Sequence, residues 1–202
     1  MKLGVLGGTF DPIHNGHVAA ATAAQHALGL DAVTLIPSRI PPHRRDPVGA
    51  TSEQRYEMAS LAAADHDGWS VSRIEVDREG PSYSFDTLTE LGQSGTQIFF
   101  IIGADAFAEI ATWSRYPAVL DLANFVVVSR PGITLDSLRA RVPSAFRDRP
   151  SASTRVILVE AHTPDISSTD IRRRVRAGDS LSGFVPDAVA RYIAAHRLYS
   201  GH

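Results

Sequence analysis

Leu3-Gly4-Val5-Leu6, followed by Gly7-Gly8-Thr9-Phe10-Asp11-Pro12-Ile13-His14-Asn15-Gly16-His17, is the stretch whose reading decides the fold. A short apolar strand runs into a glycine-bearing turn, and an alanine-rich helical pattern begins just beyond. In an open α/β sheet, such a turn at the carboxyl end of a strand is where phosphate-bearing ligands bind, against helix N–H groups. Gly7 and Gly8 let the backbone approach a ligand with no side chain between them. His14 and His17 lie three apart, and share the opening face of the helix if it has started by His14. A Gly-Gly pair alone is usually only a turn, and a lone histidine is usually a surface or satisfied core residue. The combination over residues 7–17, in its strand–turn–helix setting, points instead to an oligophosphate site.

Outward from this stretch, apolar runs alternate with helical patterns. The strands expected are Lys2–Leu6, Ala32–Ile36, Trp69–Val76, Gln97–Ile102, Phe125–Val128 and Arg155–Val159. The helices expected are Gly16–Leu28, Ser52–Ala64, Ser84–Leu91, Ala104–Ile110, Leu135–Arg141, Ser168–Ala177 and Pro186–His196. Strands separated by helices imply βαβ units, hence an α/β fold with a Rossmann-like, open, mostly parallel sheet and helices on both faces. Ser52 is expected to cap its helix with support from Thr51, and Pro186 suits the first turn of the last helix beside Asp187. Ser144–Ser153, rich in Pro, Ser and Arg, reads as an exposed loop. At 202 residues the chain is expected to be one domain, 1–202, with a small helical C-terminal extension from about 166.

Bulk properties exclude several functions. A hydrophobic fraction of 44% supports a packed core rather than disorder. The formal net charge of −2 gives no global basic footprint, so no nucleic-acid partner is expected. With no cysteine, disulfides, thiolate catalysis and cysteine-ligated metal centres are excluded. The beginning of the chain has neither the basic nor the long apolar region of a signal peptide, and no apolar run reaches the ~20 residues that cross a bilayer. A cytoplasmic location without membrane contact is expected; a homo-oligomer is left open.

The second motif is Ile166-Ser167-Ser168-Thr169-Asp170-Ile171-Arg172, at the opposite end of the sequence. By itself it reads as an ordinary helix N-cap. An N-cap also leaves N–H donors that can bind an anion, with Arg172 one turn inside. Arg173, Arg174 and Arg176 cannot all face the same site, because successive helix positions point about 100° apart. They read as a solvated basic face.

Together the two motifs resemble the nucleotidylyltransferase superfamily, in which the first is related to the "HIGH" signature of class I aminoacyl-tRNA synthetases. Within it the chain resembles the bacterial nicotinate mononucleotide adenylyltransferases. The marks of that resemblance are Gly7–His17, Ile36–Arg44, Pro81–Leu88, Phe100–Phe107, Trp113, Val128–Gly132 and Ile166–Arg172. The resemblance implies transfer of the adenylyl group of ATP to nicotinate mononucleotide, with Mg²⁺ carried mainly by phosphates and no protein metal site. It implies ATP contacts at Gly7, Gly8, Thr9, Phe10, His14, His17, Gly103, Asp105, Ile166, Ser167, Ser168 and Arg172. His14, His17 and Arg172 would be the catalytic groups. Arg39, His43, Arg44, Thr87, Trp113 and Arg130 would bind the acceptor, with Trp113 stacked on the pyridinium ring. The ring carboxylate would take backbone N–H groups near Ser84–Thr87 or Trp113–Tyr116. Sister enzymes acting on nicotinamide mononucleotide or another acceptor remain alternatives, as does a non-catalytic nucleotide-binding regulator.

Overall fold

A computed structural model describes residues 1–42, 48–93, 95–129, 155–161 and 163–200. The expected helix over Leu135–Arg141 and loop over Ser144–Ser153 lie outside the described residues, as do His43, Arg44 and Arg130.

Among the described residues the strands are β1 (Lys2–Gly8), β2 (Ala32–Pro37), β3 (Trp69–Val71), β4 (Gln97–Gly103), β5 (Asn124–Val128) and β6 (Val156–Val159). They form one sheet in the order β3-β2-β1-β4-β5-β6, and every pairing is parallel rather than most of them. The helices are α1 (Asn15–Leu28), α2 (Ser52–Ala63), α3 (Ser84–Gly92), α4 (Ala104–Ala108), α5 (Ser168–Ala177) and α6 (Asp187–Ala195). From β1 the chain leaves toward β2 on one side, and from β4 toward β5 on the other. A crevice therefore opens between the carboxyl ends of these two neighbouring strands.

Strand period 2 distributes the apolar runs between two cores. Leu6, Ile101 and Val126 lie in register and point to one face, where Ala21, Ala24, Met58, Ala59, Ile171, Val189 and Ile193 cover them. Val5, Phe100, Phe125 and Val127 point to the other, under Leu88, Ala104, Phe107, Ile110 and Leu120. The C-terminal helices α5 and α6 thus bury their apolar sides in the same core as α1 and α2.

Several boundaries differ from expectation. β3 stops at Val71 instead of continuing to Val76. There the Ser72 hydroxyl accepts the Ile74 N–H at 3.2 Å, and the Asp77 N–H bonds the Arg73 carbonyl at 2.9 Å, so the chain turns off the sheet. Thr51, not Ser52, is the α2 cap: its Oγ1 accepts the Gln54 N–H at 3.2 Å, and Gln54 Oε1 accepts the Thr51 N–H at 2.9 Å. Pro186 is the N-cap of α6 rather than its first helical residue. α4 ends at Ala108, and a short 3₁₀ turn over Ile110–Thr112 delivers Trp113.

Candidate active site

A cavity of about 610 Å³ fills the crevice beyond β1 and β4. That volume lies within the range for a ligand of nucleotide size. One end is built by Gly7, Gly8, Thr9, His14, Gly16 and His17, with Thr163, Pro164 and Ile166 facing them. The other end is built by Glu75, Ser82, Tyr83, Ser84, Phe85 and Trp113. Gly103 and Asp105, at the β4–α4 junction, lie between as the second strand-end turn.

At the first end the two imidazoles are locked together. His14 is the N-cap of α1 and His17 its third residue. Their rings stack at 3.6 Å between centroids, inclined by 24°, and Phe10 abuts His17 edge-on at 5.1 Å. His17 Nδ1 accepts the His14 backbone N–H at 3.2 Å. A neutral His17 therefore carries its proton on Nε2, as a donor. Gly16 has a steric reason to be glycine, since a Cβ there would come within 3.0 Å of His14 Nδ1 and 3.4 Å of the Pro164 carbonyl. The Pro164 carbonyl lies over the same position, so the 163–166 segment meets the first turn of α1 and joins the two ends of the sequence.

Beneath this end lie two buried charges. Asp11 is 1% exposed. Its Oδ1 accepts the Ala50 N–H at 3.0 Å and the Tyr199 hydroxyl at 2.9 Å, and its Oδ2 accepts the Gly49 N–H at 2.9 Å. Arg172 Nη1 stands 3.5 Å from Oδ2 and donates to the Asp11 carbonyl at 2.8 Å. Burial and the neighbouring Asp11 charge push the Tyr199 phenol far above its usual range. Arg55, also 1% exposed, donates to the carbonyls of Ala50 (3.2 Å), Thr9 (2.6 Å), Ser38 (2.5 Å) and Arg39 (3.1 Å). Both side chains bond backbone of neighbouring loops, Asp11 taking the Tyr199 hydroxyl and the Arg172 guanidinium as well, which fixes the loops after β1 and β2 in relation to each other.

At the other end Trp113 is half-buried, edge-on to Phe100 at 5.9 Å between ring centroids. α3 begins beside it with Tyr83 as its N-cap; the Asp86 N–H bonds the Tyr83 carbonyl at 3.1 Å, which leaves the Ser84 and Phe85 N–H groups as the first-turn donors with no carbonyl to reach within the helix. Glu75, delivered by the turn after β3, accepts the Thr87 hydroxyl at 2.7 Å. Burial pushes its carboxyl above the usual range, while hydrogen bonds from Thr87 and Ser82 and the charge of Arg78 act against that.

The Cytidylyltransferase-like family model matches residues 5–174. A probable nicotinate-nucleotide adenylyltransferase from Roseiflexus sp. (strain RS-1) is 46% identical over 198 residues, covering 98% of this chain and 97% of that protein. The chain belongs to the nicotinate-nucleotide adenylyltransferase family. The fold is shared with a Plasmodium falciparum nicotinic acid mononucleotide adenylyltransferase complexed with APC, at a TM-score of 0.76 and 14% identity over 98% of this chain and 96% of that one. A structure of the same enzyme complexed with NaAD gives a TM-score of 0.75 at 15% identity, covering 98% of this chain and 97% of that one.

Of the residues expected to form the site of this nicotinate-nucleotide adenylyltransferase family member, Gly7, Gly8, Thr9, His14, His17, Gly103, Asp105, Trp113 and Ile166 line the cavity. Others that were expected to touch ligand do not line it. Phe10 is buried, with its ring packed between Gly8 and His17. Gly8, which does line the cavity, also makes room for Phe10, because a Cβ there would lie 2.7 Å from that ring. Thr87 is 2% exposed and sits behind the wall, between Glu75 and Arg78. Arg39 is exposed and donates to the Arg78 carbonyl at 3.1 Å. Ser167 caps α5 by accepting the Asp170 N–H at 3.1 Å, and the Ser168 hydroxyl donates to the Pro12 carbonyl at 2.9 Å. Arg172 is turned onto Asp11. Arg174, expected on a solvated basic face, lies over the Phe184 ring at 3.9 Å.

Ser38, Glu75, Ser82, Ser129, Thr163 and Pro164 line the cavity without having been assigned a role. Ser38 and Ser129 directly follow β2 and β5, so the rule that ligands bind at strand carboxyl ends would have found them. Glu75 has a subtler signal. The apolar alternation of Trp69 and Val71 changes phase at Ile74 and Val76, which marks a break in the strand.

Proposed function

We propose that this chain transfers the adenylyl group of ATP to nicotinate mononucleotide, giving deamido-NAD and pyrophosphate. One observation carries the reading. A single cavity across the β1/β4 crevice joins a stacked pair of imidazoles at one end to Trp113 and the N-terminus of α3 at the other.

The chemistry needs no protein nucleophile. The acceptor's own phosphate is already anionic near neutral pH and attacks the α-phosphorus of ATP as pyrophosphate leaves. The protein's task is to bring two anionic groups together and to stabilise charge growing on the leaving oxygen. His14 and His17, buttressed by stacking and by Phe10, stand where the α- and β-phosphates would lie, with His17 Nε2–H as a preorganised donor. Asp105 would accept from ribose hydroxyls. The β- and γ-phosphates would extend toward the N-terminus of α5, where Ser167 and Ser168 open the helix and Arg172 exchanges part of its hold on Asp11 for phosphate. Trp113 would stack on the pyridinium ring, and the ring carboxylate would take first-turn N–H groups of α3. Mg²⁺ would arrive with ATP. Phosphate oxygens and water would supply the near-octahedral oxygen shell that this ion demands. Among the described residues no helix is long and apolar enough to cross a membrane.

Pyrophosphate release from ATP and Mg²⁺, measured with nicotinate mononucleotide, nicotinamide mononucleotide and phosphopantetheine in turn, tests this. The acid is expected to be the preferred acceptor. Preference for the amide moves the assignment to the sister enzyme, and release with none of them favours a nucleotide-binding regulator.

A further inference from the structure

Glu75 is a buried carboxyl group that the adenylyl transfer does not consume. It is 7% exposed and lines the cavity from the turn after β3. The Thr87 hydroxyl donates to its Oε1 at 2.7 Å. Thr87 accepts from Arg78 Nη1 at 2.9 Å, while Arg78 Nη2 donates to Glu90 on α3 at 2.6 Å. Ser82 accepts the Arg39 N–H at 2.9 Å, and its own N–H bonds the Ile40 carbonyl at 2.9 Å. Ser82 and Thr87 bracket Tyr83, Ser84 and Phe85, the residues that line the cavity where α3 begins. Glu75 thus fixes the helical end of that wall, while Ser82 ties its other end to the loop after β2. An apolar side chain could pack α3 against the sheet without the desolvation cost of a carboxyl, so packing alone does not account for Glu75.

We propose that Glu75 is a positioning residue for the acceptor: by holding Thr87 it sets the N-terminal turn of α3 against the ring carboxylate of nicotinate mononucleotide, and so carries the preference for acid over amide. The proposal rests on the acceptor assignment above. Glu75 itself touches no reacting atom, and its influence passes through backbone donors whose placement it fixes. A ring carboxylate gains from those donors and an amide gains much less, so loosening the wall acts mainly on the acid.

The test is steady-state kinetics of the wild type, Glu75→Ala, Glu75→Gln, Thr87→Val and the Glu75→Ala/Thr87→Val pair, each with both mononucleotides. Glu75→Ala is expected to raise KM for nicotinate mononucleotide about tenfold, the size of one misplaced hydrogen bond to a charged group. KM for ATP and kcat should stay within about twofold, and the acid-over-amide ratio should fall by about the same tenfold factor. Glu75→Gln, which keeps the shape and one acceptor oxygen, should recover part of the loss. The double variant should be no worse than Glu75→Ala, because both substitutions break the same link. If Glu75→Ala does not fold, Glu75→Gln and Thr87→Val read the same quantities. Unchanged acceptor KM, an equal loss for acid, amide and ATP, or tighter acid binding by Glu75→Gln would each overturn the proposal. A wild type that turns over the amide in preference to the acid, or neither mononucleotide, overturns the acceptor assignment and this proposal with it. A wild type that prefers the acid, with variants that keep its KM, overturns the role of Glu75 alone.

Discussion

Asp11→Asn is the substitution that most directly tests how the phosphate end is held. The change is isosteric, so the cost comes from hydrogen-bond polarity. With its NH₂ at the Oδ2 position, the amide would face the Gly49 N–H and the Arg172 guanidinium, both donors. With its NH₂ at Oδ1 it would face the Tyr199 hydroxyl, which can turn and accept, and the Ala50 N–H, which cannot. The second arrangement is therefore adopted, and it leaves a buried N–H without its acceptor, at about 1–3 kcal/mol. The Arg172 pair at 3.5 Å is worth roughly 5 kcal/mol in gross attraction at an effective dielectric near 20, most of it offset by desolvation. Losing the charge should leave a net loss of about 2 kcal/mol, for a total near ~3–5 kcal/mol, the range for breaking a buried pair on one side. With m about 2–3 kcal/mol/M, equilibrium urea unfolding should show a midpoint lower by roughly 1–2.5 M. Weaker anchoring of Arg172 should also raise KM for ATP while leaving KM for the acceptor alone. A midpoint within about 0.3 M of the wild type would refute the reasoning, and would mean that the carboxylate charge contributes nothing net.

Three further outcomes are expected. His17→Ala should cost ~3–4 kcal/mol of transition-state stabilisation, on the order of 10²–10³ in kcat, with the fold retained; a folded variant with wild-type turnover would remove His17 from the chemistry. Gly8→Ala should destabilise by about 1–3 kcal/mol, because the new methyl must displace the buried Phe10 ring 2.7 Å away, and it should lower kcat through His17; an unchanged melting temperature would contradict this. Glu75 is raised above its usual 4.5 in the folded protein, chiefly by burial, so the folded state holds that proton more tightly than the unfolded chain. Its stabilising contribution is full below pH 4.5 and is lost as pH rises through the folded value. The stability of the wild type relative to Glu75→Gln should fall as pH rises above 4.5, and a difference that grows with pH would reverse the sign.

Much of the fold was legible because period and punctuation agreed. A parallel sheet buried on both faces reads as near-continuous apolar runs, and Gln97–Gly103 and Asn124–Val128 are such runs. The third strand was read too long because Ile74 and Val76 are as apolar as a strand requires; only the phase of the alternation betrayed the turn at Ser72. The two histidines were legible as a pair on a helix start, since their spacing is a property of the sequence. Their stacking, and the tautomer fixed by the His14 N–H, were not, because both depend on where His14 stops being extended and the helix begins. Residues such as Thr87 and Phe10 sit in motifs that surround the cavity, and a motif does not say which of its side chains faces in. That is decided by burial against Glu75, Gly8 and His17, which come from other segments or other turns.

The buried charges explain why the opening motif is so demanding of residue type. Within Gly7–His17, only some positions meet the cavity; Phe10 and Asp11 are committed inward. Asp11 gathers Gly49, Ala50, Tyr199 and Arg172, and Arg55 gathers the carbonyls of Thr9, Ser38, Arg39 and Ala50. Between them these two side chains fasten five separate stretches of chain, at the point where strands β1 and β2 end. Electrostatic stabilisation of a transition state works only if its donors are already in place, since reorienting them during reaction would consume the gain. A loop rich in glycine cannot supply that rigidity from its own backbone. Here the rigidity comes from outside the loop, through full-strength hydrogen bonds in a dry interior. The same logic recurs at the acceptor end, where Glu75 ties down the start of α3. At both ends of the cavity a buried ionisable group behind the ligand-facing backbone holds it in place, so these parts of the polar surface are held from within the core.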